Sequence, residues 1–278
     1  MLGVELPAIG TAVAVFSFAI VWSVSVRVHN YGFLDVVWSL SIAVLAPLYA
    51  LLGDGDVTRR LCFALVGAAW SLRLGLYILI RVLRTHPRED ARYRTLRERW
   101  PGPGRFLLFF ELQALIAVLF SLPFLLAALN PAPGLGVFER VGLGLALLAC
   151  AGESLADWQA QRFKRNPANA RAVVDVGLWR YSRHPNYFFE SLVWWGFFIA
   201  ALDSRYGVVT VVCPLLMLYL LFRVTGIPLT EKHSLESRGE AYRAYQRVTS
   251  PFVPWFRKAG RPLTADRCPP SSEDPYRQ

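Results

Sequence analysis

Long apolar runs separated by short, arginine-rich connections dominate this chain. Seven runs have the length and composition of membrane-spanning helices, at roughly 7–26, 32–52, 59–83, 106–129, 137–161, 187–202 and 206–226. The sixth is short and aromatic. A bilayer core offers no water to backbone N–H and C=O groups, so a spanning segment must satisfy its own hydrogen bonds as a helix. The pattern therefore predicts an all-α integral membrane protein, a seven-transmembrane helix bundle with polar connecting loops. An amphipathic stretch near 231–246 predicts a C-terminal helix. The Pro-, Ser- and charge-rich end from about 260 predicts a disordered tail after a single membrane domain of residues 1–259.

Composition supports that class. Hydrophobic residues make up 54% of the chain and charged residues 18%, below the quarter or so typical of soluble domains. The net charge of +10 does not point to nucleic acid, because the arginines lie between apolar runs rather than along one face. It orients the bundle instead. One side receives Arg27, the loops at 84–105 and 164–183 and everything after Arg223; the other receives Arg59, Arg60, Arg140 and Arg205. The positive-inside rule then puts the N-terminus outside and the C-terminus in the cytosol. The first run has no basic stretch before it and reads as a retained helix, not a cleaved signal. Cys62, Cys150, Cys213 and Cys268 lack metal-ligand spacing, so neither a metal site nor a disulfide is expected.

Ionisable residues inside spans are costly and mark functional sites. Here they fall on three helix faces. Arg73, Tyr77 and Arg81 are four apart in the third span; Glu153, Asp157, Gln161 and Lys164 share a face of the fifth; Asn186, Glu190 and Trp194 do so in the sixth. Asp35 lies just inside the second span. All belong to the half assigned to the cytosol, while the outer halves read as almost purely apolar. Arg81, Gln161 and Lys164, near helix ends, also fit simple snorkelling, and the deeper Arg73, Glu153 and Glu190 also fit structural ion pairing. The expected form is a polar pocket open to the cytosol beside an apolar chamber.

The loop at 86–94 reads HPREDARYR. Such a charge run suits a solvated face or anionic lipid. Its guanidinium groups also match phosphate oxygens in bidentate fashion, and its carboxylates match ribose hydroxyls. No glycine-rich strand–helix turn is present. Gly142 and Gly144 sit in an apolar run and read as a close helix contact, so any dinucleotide is held by side chains.

The densest segment, residues 177–190, reads GLWRYSRHPNYFFE and runs into Trp194, Trp195 and Gly196. It is a loop entering a helix with Pro185 in the first turn, where Arg183, His184 and the helix N-terminus make an anion site. This segment closely resembles the steroid 5α-reductase family (3-oxo-5α-steroid 4-dehydrogenases), including its bacterial DUF1295 branch. The likeness extends to Asp35 with Trp38, the run from Trp70 through Arg73, the stretch Glu89, Asp90, Ala91, Arg92, Tyr93, the pair Glu153 and Asp157, and Glu231 followed by Tyr242 and Tyr245. The Arg-His-Pro core alone is less specific, because isoprenylcysteine and phospholipid methyltransferases carry a similar signature that serves S-adenosylmethionine. Departures are Phe189 where a Gly is common, Glu153 where the animal enzymes have Asn, and Asp35 near the place of a Gln/Glu pair.

What the resemblance implies is a seven-helix reductase of a bacterial inner membrane, with NADPH on the cytosolic side and a steroid or other lipid-like enone entering from the bilayer. Asn186 and Glu190 match the family's cofactor motif, and Asp157 and Lys164 match residues that hold the dinucleotide. The resemblance assigns Arg73, Arg81, Glu89, Asp90, Arg92, Tyr93, Glu153, Tyr181, His184, Tyr187, Glu231 and Tyr245 to the same cofactor. Tyr77 matches the tyrosine at the substrate ketone, with Asp35 orienting it or the substrate. The implied reaction reduces an enone C=C bond, with the phenol stabilising charge on the ketone oxygen. The alternative is an S-adenosylmethionine-dependent membrane methyltransferase, and a non-enzymatic lipid carrier is a further one. No metal and no nucleic acid are expected, membrane lipids are, and the chain is taken as a monomer.

Overall fold

The computed structural model describes residues 2–258 apart from Pro101, Arg171 and Thr225; the tail expected to be disordered lies outside the described residues. The helices are α1 (Leu2–Arg27), α2 (Phe33–Leu52), α3 (Val57–Thr85), α4 (Ala91–Arg99), α5 (Pro103–Phe120), α6 (Leu122–Ala128), α7 (Val137–Arg165), α8 (Pro185–Ala201), α9 (Val212–Tyr219), α10 (Ile227–Arg238) and α11 (Glu240–Val248). No strand forms among the described residues; Ser182 and Ser250 make one isolated bridge.

Six segments are long and apolar enough to cross a bilayer: Glu5–Arg27, Phe33–Leu52, Val57–Thr85, Pro103–Phe120, Val137–Arg165 and Gly207–Arg238. They mark a multi-pass membrane protein. The expected sixth span is α8, which has 17 residues.

Three breaks were not visible in the apolar pattern. The expected run at 106–129 is two helices, because Pro123 has no N–H for the Leu119 carbonyl. The buried Cys213 thiol donates to that carbonyl at 3.4 Å. The stretch near 231–246 is also two helices, parted at Gly239, whose φ of +52° is a left-handed conformation that glycine adopts without strain. Third, the charged loop after α3 contains α4, begun by the Asp90 carboxylate accepting from the Arg92 N–H at 2.9 Å.

The described chain divides into two compact units. The first holds the residues up to Cys150 with Ser191–Met217; the second holds Ala151–Glu190 and the described residues from Leu218 onward.

In the first unit α2 and α3 run antiparallel in close contact. The Ser71 hydroxyl of α3 enters the α2 backbone, donating to the Ser39 carbonyl at 2.6 Å and accepting from the Ala43 N–H at 2.9 Å. It thus stands in for one i to i−4 bond of α2, which lets the two backbones approach. The core beside them is aromatic: Trp70, Phe120, Phe124, Trp194 and Phe197 are each 0–2% exposed, with Trp194 meeting Trp70 and Phe197 edge-on and the contacts of Phe120 with Trp194 and Phe124 with Phe197 tilted. Gly142 reads correctly as a close contact, since a Cβ there would collide with the backbone of Gly196 and Ala200; Gly144 faces open space.

In the second unit, the turn Gly177–Arg180 and the start of α8 are held from two sides. The Trp179 indole N–H donates to the Ala156 carbonyl of α7 at 2.8 Å, and the Ser182 hydroxyl donates to the Phe252 carbonyl at 2.6 Å.

Candidate functional site

In the first unit, α2 begins where α3 ends, and α4 and its preceding loop close over that end. Asp35 is the hub. One carboxylate oxygen accepts from the Tyr93 hydroxyl at 2.6 Å; the other accepts from Arg92 at 2.8 Å and faces Arg81 at 3.7 Å. Arg92 also grips Asp90 at 2.9 and 3.1 Å. Glu89 accepts from the Tyr31 backbone N–H at 2.8 Å and pairs with Arg97 at 2.6 Å. Four residues read from sequence as dinucleotide contacts, Glu89, Asp90, Arg92 and Tyr93, thus bind one another and their neighbours. They dock α4 onto the first turn of α2.

The electrostatics follow from that packing. Burial, and then the adjacent Asp35 carboxylate, push the Tyr93 phenol well above its ordinary value, so it stays a hydrogen-bond donor. Burial alone would raise the Asp90 carboxyl, but the hydrogen bonds and charge of Arg92 outweigh it and hold the group below the usual range.

A cavity of about 520 Å³ opens beside this hub, lined by Asp35, Arg81, Arg84, His86, Arg88 and Glu89 among others. Asp90 is on the wall too, so three arginines, with Arg84 and Arg88 exposed and Arg81 49% exposed, face three carboxylates there; Arg92 and Arg97, paired to those carboxylates, give the cluster as a whole its cationic excess. Arg73 and Tyr77 lie two turns and one turn before Arg81 on α3, both half-buried.

The second unit gathers a different set. Glu153 and Asp157 on α7 and Glu190 on α8 are 3%, 9% and 7% exposed. The Asn186 amide donates to Asp157 at 3.4 Å. His184 is 2% exposed, stacks on Tyr187 with ring planes 4° apart, and faces Glu231 at 3.4 Å. The Tyr187 hydroxyl meets that of Thr230 at 3.2 Å. Lys164, at the end of α7, is exposed.

Two sequence readings change here. Arg183 was expected to share an anion site with His184, yet Glu231 fills that place: Arg183 donates to it at 2.7 Å and to the Gln246 and Thr249 carbonyls at 3.0 Å each. Glu231 accepts also from Gln246 at 3.0 Å, which makes it a strut between α10, α11 and the turn before α8. Tyr245 is 1% exposed, and its hydroxyl lies against the carbonyls of Trp179 and Ser182. Burial pushes that phenol far up, consistent with a fixed donor. Tyr181, by contrast, is 43% exposed.

The half-spans read as almost purely apolar hold a cluster that the sequence analysis missed. Arg59, 2% exposed, pairs with Glu139, 0% exposed, and donates to the carbonyls of Asn130, Ala132 and Gly134 at 2.6–2.8 Å. Glu139 accepts from the Gly136 N–H at 2.7 Å, and Asp203 accepts from the Glu139 N–H at 3.0 Å. Asp56, three residues before Arg59, is a legible helix cap and accepts the Arg59 N–H at 3.0 Å. The Glu139 partner, 80 residues away, left no local signal. Glu111 was also passed over. It lies two turns inside α5, and one of its carboxylate oxygens is buried with no hydrogen-bond partner among the described residues.

A family model described as "Protein of unknown function (DUF1295)" matches residues 21–249. An uncharacterized protein of Schizosaccharomyces pombe is 28% identical over 262 residues, covering 84% of this chain and 76% of its own. No solved structure matches.

Proposed function

The chain belongs to the DUF1295 family, and from that premise we propose that it is an NADPH-dependent membrane reductase of an α,β-unsaturated ketone, of the steroid 5α-reductase type. Its substrate class is a lipid-like enone, with 3-oxo-Δ4-steroids as the first candidates. The carrying observation is the buried group on α7 and α8 of the second unit. Three carboxylates, Glu153, Asp157 and Glu190, stand beside Asn186 and His184 in helices built largely of apolar residues. Ionisable groups gathered at such depth in apolar helices mark a functional site.

That donor set fits a dinucleotide. Asp157 and Glu190 would accept from ribose hydroxyls, and Asn186 would offer both amide functions. Lys164 and Tyr181 lie exposed for phosphate and ring contacts. When bound, NADPH would supply a hydride to the enone β-carbon, and a proton taken up at the α-carbon from solvent would complete the saturated ketone.

The remaining work falls to the chain. Tyr77 donates a hydrogen bond to the ketone oxygen as negative charge develops there, and a neutral phenol suits that task at cytosolic pH. Asp35 fixes the surrounding donors through Tyr93 and Arg92. The apolar core holds the hydrocarbon body and excludes water. In this reading α8 is a seventh span, its 17 residues being the lower limit for crossing. The N-terminus is outside, and the chain works as a monomer in a bacterial inner membrane.

The test is a pair of tryptophan-quenching titrations on purified protein, one with NADPH and one with S-adenosylmethionine, followed by NADPH oxidation with progesterone or testosterone and product identification. Saturable NADPH quenching and a 4,5-reduced product are expected. Quenching by S-adenosylmethionine alone would transfer the buried carboxylates to the ribose of that nucleoside and make the chain a methyltransferase.

A further inference from the structure

The last described segment, residues 249–258 of the second unit, is a strap. Two backbone bonds stitch it to the turn before α8, the Arg183 N–H donating to the Ser250 carbonyl at 2.9 Å and the Trp255 N–H to the Tyr181 carbonyl at 3.0 Å, and a third returns it to the end of α11, the Lys258 N–H donating to the Val248 carbonyl at 3.1 Å. The strap sorts its side chains. Phe252 turns inward onto Phe188 and Phe222, with ring centroids 5.7 and 4.8 Å apart. Arg257 also turns inward, to the Arg180 carbonyl at 3.0 Å and to Asp175. Val253, Trp255 and Phe256 face out, at 51%, 67% and 79% exposure, with Tyr181 edge-on to Phe256. Two exposed cations, Arg180 and Lys258, flank them.

We propose that this outer face of the strap is a membrane-interface site that inserts Trp255 and Phe256 among lipid headgroups and binds anionic phospholipid through Arg180 and Lys258. Three observations select that occupant. Large apolar side chains held outward by a fixed backbone need cover. Tryptophan at the end of a spanning helix settles at the headgroup level, and the strap is bonded directly to the turn that leads into α8. The charge at the rim is positive, because Arg180 and Lys258 are exposed and the Asp175 carboxylate is neutralised by Arg257. The inference rests on the reading of α8 as a seventh span and not on the NADPH site, so failure of the cofactor titrations leaves it standing.

The experiment uses the full-length protein in nanodiscs, with emission from the native chain compared with that of Trp255→Phe to isolate the Trp255 component. Brominated phosphatidylcholine and brominated phosphatidylglycerol are titrated separately. Trp255 emission is expected to fall with both. The anionic lipid should act at about fivefold lower mole fraction for each engaged cation, a preference that Arg180→Gln with Lys258→Gln removes. Phe256→Trp, a second reporter at the neighbouring position, should add a quenchable component. Absence of quenching at both positions overturns the site. Equal quenching by the two lipids overturns the anionic assignment. Quenching that appears only after truncation beyond Lys258 means that the tail covers the strap, and this too overturns the proposal.

Discussion

The two ends of the antiparallel pair α2 and α3 carry ionic clusters built on opposite rules. At the end where α3 begins, Arg59 and Glu139 are 2% and 0% exposed, and Arg59 meets one carboxylate and three carbonyls. At the end where α2 begins, Asp35 is 23% exposed and faces Arg92 at 29% and Arg81 at 49%, beside a cavity rimmed by further arginines. The first cluster is balanced and closed. The second is cation-rich and open. Depth of burial alone would have ranked the first as the better functional candidate, yet a saturated pair has no capacity left for a ligand. Excess cationic charge in a cluster that opens onto an accessible cavity is the more informative signal.

The sharpest break of this comparison is to unbalance the closed end. Arg59→Met leaves Glu139 buried without its countercharge, so it should cost about 3–5 kcal/mol, whereas Arg59→Met with Glu139→Gln should recover part of the loss. Denaturant midpoints in detergent measure both. An unchanged midpoint for the single variant would show that Arg59 is not a clasp. Next in size is Tyr77→Phe on the same helix. It should lower enone turnover by about 100-fold or more, equivalent to removing one transition-state donor, with NADPH quenching intact. Loss of cofactor binding instead would move Tyr77 out of the substrate role. At the open end, Asp35→Asn weakens the acceptor for Tyr93 and Arg92 in a partly solvated setting. A stability loss of about 1 kcal/mol is expected, accompanied by faster proteolysis around α4.

Much of the fold was legible because apolar runs bounded by arginine announce helices that cross a membrane. α1, α2, α3 and α7 followed from that pattern. The run at 106–129 misled because hydropathy does not register one missing N–H, and Pro123 parts α5 from α6. α4 was hidden because its residues are charged, and its helix is set by the Asp90 cap and by docking on Asp35. Helical spacing gathered Glu153 and Asp157 correctly on α7, since i, i+4 geometry is local. It had no access to pairs made across the sequence. Glu231 meets Arg183 at a separation of 48 residues, and Glu139 meets Arg59 at 80. Such partners are chosen by packing, so a motif such as Arg-His-Pro shows which side chains are present and not which of them remain available.

The smallest predicted effect uses acid to compare the two ends directly, because each has an aspartate capping a helix. At the open end the Asp90 carboxyl lies below its ordinary 3.8: burial raises it, but Arg92 outweighs that. At the closed end the Asp56 carboxyl is lowered chiefly by the Arg59 N–H it accepts. A depressed carboxylate contributes stability that is present above the unfolded value and is lost as pH falls through the folded one. Both caps therefore weaken below about pH 3.8. The consequences should differ. α4 has nine residues and is held largely by charge, so the Arg92 N–H should lose protection against hydrogen exchange, normalised for intrinsic rate. The cap contributes about 1 kcal/mol at most, and less here because Asp90 is 36% exposed. α3 has 29 residues, and Arg59 holds its start to three carbonyls that do not titrate, so the Arg59 N–H should keep its protection over the same range. Equal loss at both amides would mean that the clasp depends on its cap, and the two ends would then differ in degree of burial rather than in construction.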